Sequence, residues 1–273
     1  MDAAQNQQAK QDWLDFRRAR EDELRRPYGW LTLQSFHWLP ETPTELPGLP
    51  GRWSTDGEQA FCDADPGDQL VADGEPLAGR SAVTVAETGR IPWLRHGDRE
   101  IELLRRGGRL AIRVRAQSSP ERESFRGIPV YDYDPVWVIP ARFTAYPPGR
   151  IADVGTHRPD LRQQLPALGE LEFTAGGAPQ RLVVTTIKAG PSIEFHDPTN
   201  DAETPAWRQL KFAEPDADGH VVLDFNRTIN MWFAFTDHAT CPRPSEGNTI
   251  TVPVRAGERA APPPPAATDP DRR

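Results

Sequence analysis

Short stretches in which apolar and polar residues alternate run through most of this chain, separated by glycine or proline turns. The clearest pair is residues 100–103 and 110–114, which lie on either side of Gly107 and Gly108. Two consecutive glycines tolerate the positive φ angles of a tight turn, so this pattern predicts an antiparallel β-hairpin.

The second strand of this hairpin has two different faces. Its apolar positions are Leu110, Ile112 and Val114, and its basic positions are Arg109, Arg113 and Arg115. Because successive side chains of a strand point to opposite faces, the pattern is typical of a half-buried antiparallel sheet.

The same alternation recurs further along the chain and predicts more strands. These stretches are residues 171–173 and 182–187 around Gly176 and Gly177, 193–195, 210–212 and 221–225 around a turn at 214–219, and 250–254 as a last strand. Short strands at this spacing are typical of a sandwich or barrel. We therefore predict a mainly β fold with antiparallel β-sandwich or barrel-like units, preceded by one N-terminal α-helix.

One stretch has the periodicity of a helix. In residues 9–26, Trp13, Phe16 and Leu24 share a face, arginine and glutamate fill the other, and Pro27 ends the pattern. Together with a polar stretch at 117–124 and a run of prolines at 262–265, this suggests four segments. They are an N-terminal helix at 1–28, a first β unit at 29–116, a second β unit at 117–258 and a disordered Pro-rich tail at 259–273.

Composition narrows the classes of partner. The formal net charge is −8, which repels phosphate backbones and anionic lipid surfaces, so we expect no nucleic-acid partner and no membrane partner. No stretch approaches the roughly 18 apolar residues of a membrane span, and residues 1–12 lack an apolar segment, so we expect a soluble, cytoplasmic protein. Cys62 and Cys241 are the only cysteines and allow one disulfide at most.

The common catalytic motifs are absent from the sequence. No lysine follows a glycine as a phosphate loop requires, and no glycine fingerprint for a dinucleotide follows a strand. The string at 190–194 fails the last position of a nucleophile elbow. No two histidines have the spacing of metal ligands on one element, so we predict no metal site, and the sequence indicates no cofactor.

A dense polar cluster follows the predicted strand at 221–225. Asp224 and Asn226 point to the same face of that strand, and Arg227 and Asn230 come next. Such a set could hold a polar ligand or orient a water. The structural alternative is that Asp and Asn satisfy backbone donors in a tight turn.

With its neighbours, this cluster resembles the bacterial and archaeal family called domain of unknown function 1684. The resemblance extends from about Trp13 to Glu258 and is carried by separate motifs in order. They are Trp13-x3-Arg17, Gly29-Trp30-Leu31-Thr32-Leu33, Ser119-Pro120-x-Arg122-x2-Phe125-x-Gly127-Ile128, Phe195-x-Asp197-x-Thr199, Asp224-Phe225-Asn226-Arg227-x2-Asn230, Cys241-Pro242-x-Pro244-x3-Asn248 and Ala256-Gly257-Glu258.

This chain also departs from the family pattern. Phe233 replaces the first of two family cysteines, which argues against a role for a thiol pair with Cys241. After the Asp-x-Thr motif, only Arg208 of the usual residues is clearly retained. The resemblance implies no function, because the family has none assigned, but it places the polar cluster among the family's own motifs.

Two functional interpretations remain open beside a purely structural role. In the first, the protein binds a small anionic molecule or is a hydrolase-like enzyme, with Asp197 or Asp224 as general base. The predicted ligand-binding residues are Arg115, Arg122, Arg208, Asn226, Arg227, Asn230 and Asn248. In the second, it is a non-catalytic β-sandwich module whose Arg-rich face at 109–115 binds an acidic partner or a phosphopeptide. The sequence does not indicate the oligomeric state.

Overall fold

The computed structural model describes residues 3–187 and 190–260. Two α-helices are present in these ranges, α1 at Ala3–Arg25 and α2 at Pro120–Ser124. Single 3-10 turns lie at Trp30–Thr32, Pro66–Asp68, Pro135–Trp137, Phe225–Arg227 and Trp232–Ala234. No helix in the described ranges is both long and apolar enough to cross a lipid bilayer.

The strands form three antiparallel sheets, which confirms the predicted mainly β fold. In chain order they are β1 Leu33–Trp38, β2 Thr44–Glu45, β3 Arg52–Thr55, β4 Ala60–Ala64, β5 Val71–Ala72, β6 Glu75–Pro76, β7 Gly79–Val83, β8 Arg90–His96, β9 Arg99–Arg106, β10 Arg109–Ala116, β11 Val138–Ala145, β12 Ile151–Gly155, β13 Arg162–Ala175, β14 Ala178–Thr185, β15 Ser192–Phe195, β16 Arg208–Lys211, β17 His220–Asp224 and β18 Ile229–Asn230.

The first two sheets share one hydrophobic core. The six-stranded sheet has the order β1-β10-β9-β8-β5-β6, and the four-stranded sheet has the order β2-β3-β4-β7. Trp53 of the smaller sheet is fully buried against the apolar face of β9 and β10, which contributes Leu103 and Ile112. Packing two sheets around such alternating apolar residues is the arrangement of a sandwich.

The predicted hairpin at residues 100–114 is confirmed as β9 and β10. Gly107 and Gly108 have φ angles of 58° and 74°. Two positive φ angles are what a tight two-residue hairpin turn requires. Gly176 and Gly177 connect β13 and β14 in the same way.

The third sheet has eight strands, in the order β17-β11-β13-β14-β15-β16-β18, with β12 paired to β13. Its core is built on aromatic and aliphatic side chains, among them Phe173, Phe195 and Phe225. These three rings lie close together. The ring centroid of Phe225 is 5.7 Å from that of Phe173 and 5.8 Å from that of Phe195.

The predicted last strand at residues 250–254 is wrong. Ile250 and Val254 are buried in the core of the third sheet, so the apolar alternation is real, but the segment has no strand ladder. The Ile250 amide donates to the His196 carbonyl at 2.8 Å, and side chains satisfy the backbone of Val254. Arg208 Nη2 donates to the Val254 carbonyl at 2.7 Å, and the Val254 amide donates to Asp197 Oδ2 at 2.8 Å.

The helix predicted at residues 9–26 is confirmed as α1, which begins earlier than expected, at Ala3. Its buried stripe is Trp13, Arg17, Arg20 and Leu24, which have the i, i+4, i+7, i+11 spacing of one helix face. Two of these four are arginines, which a sequence pattern assigns to the solvent face. Their burial requires a partner, because an unpaired buried charge is costly.

That partner is Glu258, at the other end of the chain. Its side chain is fully buried, and its Oε1 accepts from Arg17 Nη1 at 2.9 Å and from Arg20 Nε at 3.1 Å. Its Oε2 accepts from the Asn230 amide at 2.7 Å. One carboxylate thus connects the N-terminal helix, β18 and the C-terminal segment.

We expect Glu258→Gln to destabilise the protein by about 3 to 5 kcal/mol, because it leaves the buried Arg20 without a counter-charge and leaves the buried Arg17 only with Glu21 at 3.5 Å. The measurement is urea unfolding of both proteins, with the exposed Glu246→Gln as the matched control. A loss below about 1 kcal/mol, as typical of surface pairs, would contradict this role.

Candidate functional site

The structure places Asp197 and Arg208 together in a fully buried ion pair. Arg208 Nη2 lies 3.1 Å from Asp197 Oδ1, and both side chains are 0% exposed. Asp197 Oδ2 also accepts from the Thr199 hydroxyl and the Val254 amide, each at 2.8 Å. Arg208 Nη1 donates to the Ala256 carbonyl at 2.7 Å. The bonds to Val254 and Ala256 hold the C-terminal segment against this ion pair.

Asp224, Asn226 and Arg227 form a turn after β17. Asp224 Oδ1 accepts from the Asn226 amide at 3.1 Å, and Asp224 Oδ2 accepts from Arg227 Nε at 3.2 Å. The Asn226 side chain is buried and exchanges hydrogen bonds with both backbone groups of Asp134, at 3.0 Å each. This is the geometry of the structural alternative, in which Asp and Asn satisfy a turn.

Asn230 and Asn248 also bond to backbone. Asn230 Nδ2 donates to the Arg259 carbonyl at 2.8 Å. The Asn248 side chain bonds both backbone groups of Val183 in β14 and the carbonyl of Glu194 in β15, at 2.8 to 3.0 Å. Asn248 therefore bridges the gap between two neighbouring strands.

The other two predicted ligand-binding arginines lie elsewhere. Arg115 is 1% exposed and donates to the Gly29 carbonyl at 2.6 Å and to Glu102 Oε2 at 3.4 Å. Arg122 is near the surface and donates to the carbonyls of Arg25 and Gln117.

These residues do not gather around one pocket. Of the predicted set, Asp224 and Arg227 line a shallow cleft of about 530 Å³, together with Phe16 and Lys211. The remaining members are tied to backbone groups or to each other. A catalytic role for Asp197 or Asp224 stays a prediction.

A different cavity, of about 140 Å³, lies between the six-stranded sheet and the third sheet. Lys211 and Ile229 line both this cavity and the neighbouring cleft of Asp224. Its described lining is Trp30, Arg90, Arg106, Arg113, Gln163, Ile187, Gln209, Lys211, Ile229, Met231, Trp232, Thr240, Cys241 and Pro242. Four of these side chains are basic and none is acidic.

The basic wall comes from one face of β8, β9 and β10, and the sequence pattern predicts a polar outer face for the β10 part of it. That expectation is wrong for Arg113 and Arg115, which are both 1% exposed because the second half of the chain covers them. Their shared partner is Glu102, also buried, whose Oε2 accepts from Arg113 Nε at 2.9 Å. Glu102 Oε1 accepts from Arg90 Nη1 at 2.6 Å.

One carboxylate does not satisfy these arginines. Within the described residues, Arg113 Nη2 and Arg115 Nε are buried and have no hydrogen-bond partner. Leaving a buried guanidinium N–H without an acceptor costs more free energy than leaving a neutral donor without one, because the guanidinium carries charge. The Arg113 side chain lines the cavity, so a ligand oxygen there could be the missing acceptor.

The pKa shifts describe a surplus of positive charge. Burial lowers the pKa of Arg113 to about 10; Glu102 opposes this shift, whereas Arg115, Arg106 and Arg90 add to it. Burial also lowers the pKa of Arg106, again with Arg90 adding to the effect. Burial alone would raise the pKa of Glu102, but Arg113 and Arg115 hold it below its ordinary value. Arg113 therefore keeps its charge at neutral pH.

The part of the cavity built by the second half is mostly apolar. Ile187, Ile229 and Met231 line it together with the Cys241 thiol. Burial raises the pKa of Cys241 to about 12, so this group is a neutral thiol and not a nucleophilic thiolate.

Phe233, which replaces the first family cysteine, packs beside this wall. Its ring lies 3.9 Å from Trp207 and 5.2 Å from His157, between ring centroids. Cys241 belongs to the same apolar cluster. In the described ranges, no group of three His, Cys, Asp or Glu residues could hold a metal ion.

Sequence reasoning missed Arg90, Arg106, Gln209 and Lys211, and it placed Arg113 on an outer face. For the arginines, the available signal was the alternation of charged residues with apolar ones along β8, β9 and β10. That pattern does not say whether the charged face meets water or a second sheet.

Comparisons with known proteins show relatives without an assigned function. Residues 123–259 match the model of a family described as "Protein of unknown function (DUF1684)". A solution NMR structure of an uncharacterized protein of Haloarcula marismortui is 28% identical, with 51% of this chain and 79% of that chain covered and a TM-score of 0.43. No curated protein matches the chain. The matched family range contributes the apolar wall and Lys211, whereas Arg90, Arg106 and Arg113 precede it.

Replacing Asp197 and Asp224 should have different effects on stability. Asp197→Asn leaves the buried Arg208 without its counter-charge, so we expect a loss of about 3 to 5 kcal/mol. Asp224→Asn weakens a partly exposed pair with Arg227, so we expect a loss below about 1 kcal/mol. Urea unfolding of both variants tests the contrast, and equal losses would contradict it.

Proposed function

The chain belongs to the DUF1684 family of proteins of unknown function, and on that premise we propose that it binds a small anion in the cavity between its sheets. The observation that carries this proposal has two parts: Arg113 has a buried Nη2 without a partner, and Arg113 lines a cavity whose described lining contains four basic and no acidic side chains.

The charge balance favours an anion as the ligand. Glu102 is the carboxylate that bonds Arg90, Arg113 and Arg115, so three positive charges share one negative charge. Arg106 and Lys211 add two more positive charges at the cavity. An anion would offset the repulsion around Arg113 and Arg115, which are buried where water screens it poorly, whereas Arg90 and Lys211 are exposed to solvent.

Two amide side chains could orient the ligand. Gln163 Nε2 donates to the Thr240 carbonyl at 2.7 Å, and Gln209 Nε2 donates to Glu194 Oε1 at 2.7 Å. Each amide nitrogen carries a second hydrogen, which a ligand oxygen can accept. Both nitrogens are held by their first bond, and both residues line the cavity.

The cavity chemistry favours binding over hydrolysis. The described lining offers no histidine or carboxylate as general base, and Cys241 is a neutral thiol. The second interpretation, an acidic macromolecule on the Arg-rich face, has less support because Arg113 and Arg115 are buried. We also propose that the protein works in the cytoplasm, where its two free, buried cysteines would stay reduced.

Acetate is the simplest probe of this function. We expect a two-dimensional NMR titration with sodium acetate, at ionic strength kept constant with chloride, to shift the signals of Trp30, Trp232 and Arg113. Arg113→Met should weaken acetate binding at least about tenfold, because it removes the charged donor while keeping an unbranched, flexible side chain.

Arg122→Met is the matched control, since Arg122 bonds only backbone carbonyls away from the cavity. This variant should bind acetate as the unmodified protein does. Acetate binding that is unchanged in Arg113→Met, or absent in the unmodified protein, would contradict the proposal.

The affinity for acetate should be the same at about pH 6 and about pH 8. Arg113 has a pKa of about 10, so its charge is complete below that pH and is lost only as the pH rises through it. The same titration at both pH values is the measurement. A clear decrease between them would show that a histidine, and not the arginine wall, supplies the charge.

A further inference from the structure

The cavity has a basic side and a mixed side that includes an apolar wall. The six-stranded sheet contributes Arg90, Arg106 and Arg113. The second half contributes the apolar Ile187, Ile229, Met231, Cys241 and Pro242 beside the polar Gln163, Gln209, Lys211 and Thr240. A simple inorganic anion would satisfy the arginines but leave the apolar wall in contact with water. Burying apolar ligand surface against that wall gains about 25 cal/mol per Å².

The volume limits the size of the apolar group. The cavity measures about 140 Å³, and an engineered apolar cavity of roughly 150 Å³ holds one benzene molecule. By this comparison one six-membered ring or a branched chain of similar size fills the cavity, so the charged group has to extend to the arginines at the cavity wall. Nucleotides and sugar phosphates are too large.

Two tryptophans supply a rigid aromatic surface. Trp30 and Trp232 stack with ring centroids 4.5 Å apart and planes 7° apart, and both line the cavity. Arg20 covers the Trp232 ring at 4.5 Å, and Arg113 and Arg115 lie about 5 Å from Trp30. These contacts hold both indoles in place, and aromatic edges and faces pack well against a planar ring.

From this division we infer that the ligand is a small organic carboxylate with a ring-sized apolar body, and this inference rests on the anion binding proposed above. The carboxylate oxygens accept hydrogen bonds from Arg113 and its basic neighbours. The ring lies against Ile229, Met231 and the indole pair. Benzoate is the simplest probe with this shape and charge.

Calorimetric and NMR titrations of the unmodified protein with benzoate, acetate and inorganic phosphate test the inference. We expect benzoate to bind at least about tenfold more tightly than acetate, since well-fitted apolar groups in a pocket contribute factors of this size. Phosphate should bind no better than acetate.

Equal affinities for the three probes, or tighter binding of phosphate, would overturn the carboxylate inference and leave the anion proposal intact. No binding of any probe would contradict both. The two failures are therefore distinguishable in one set of titrations.

A variant of the apolar wall provides a second test. Ile229→Thr keeps the β-branched shape and places a hydroxyl on the wall, so it should weaken benzoate binding several-fold and leave acetate binding unchanged. Val222→Thr is the matched control, because Val222 is exposed and lines only the neighbouring cleft. Equal weakening of benzoate and acetate by Ile229→Thr would contradict contact between the ring and this wall.

Discussion

The basic wall of the cavity depends on one buried carboxylate. Glu102 lies between Arg90, Arg113 and Arg115 on a face that the second half covers. Burying several arginines requires a counter-charge, and a single Glu meets this requirement only in part. In our account, the arginine donors that Glu102 leaves without an acceptor give the cavity its affinity for an anion. A face whose arginines were all paired would be buried equally well, but it would have no free donor for an anion.

The family motifs build the opposite side of that cavity. Arg208, Asp197 and Glu258 tie the C-terminal segment to β16, β18 and helix α1, and Asn248 holds β14 near β15. These bonds position the strands and loops that carry Gln209, Met231 and Cys241. The polar residues that stand out in the sequence therefore act mainly on architecture. The cavity lies between these strands and loops and the six-stranded sheet.

The sequence predicted the fold better than the site, for physical reasons. Strand alternation and paired glycines depend on local geometry, so the hairpin of β9 and β10 and the helix at α1 could be predicted. Residues 250–254 were misassigned because their apolar alternation reflects burial, while isolated hydrogen bonds rather than a strand ladder satisfy the backbone of Ile250 and Val254. Arg113 was assigned to solvent because alternation does not show what covers a sheet face. Arg17 and Arg20 were misread for the same reason, since Glu258 is distant in the sequence.

Bromide identifies an anion site directly through its anomalous scattering, so a crystal structure of the protein in sodium bromide tests the central claim most directly. Our account predicts an anomalous peak inside the cavity, within contact distance of Arg113 Nη2 and close to Arg106 or Lys211. Bromide found only on the outer surface, with the cavity closed or Arg113 Nη2 bonded to a protein carbonyl, would contradict it.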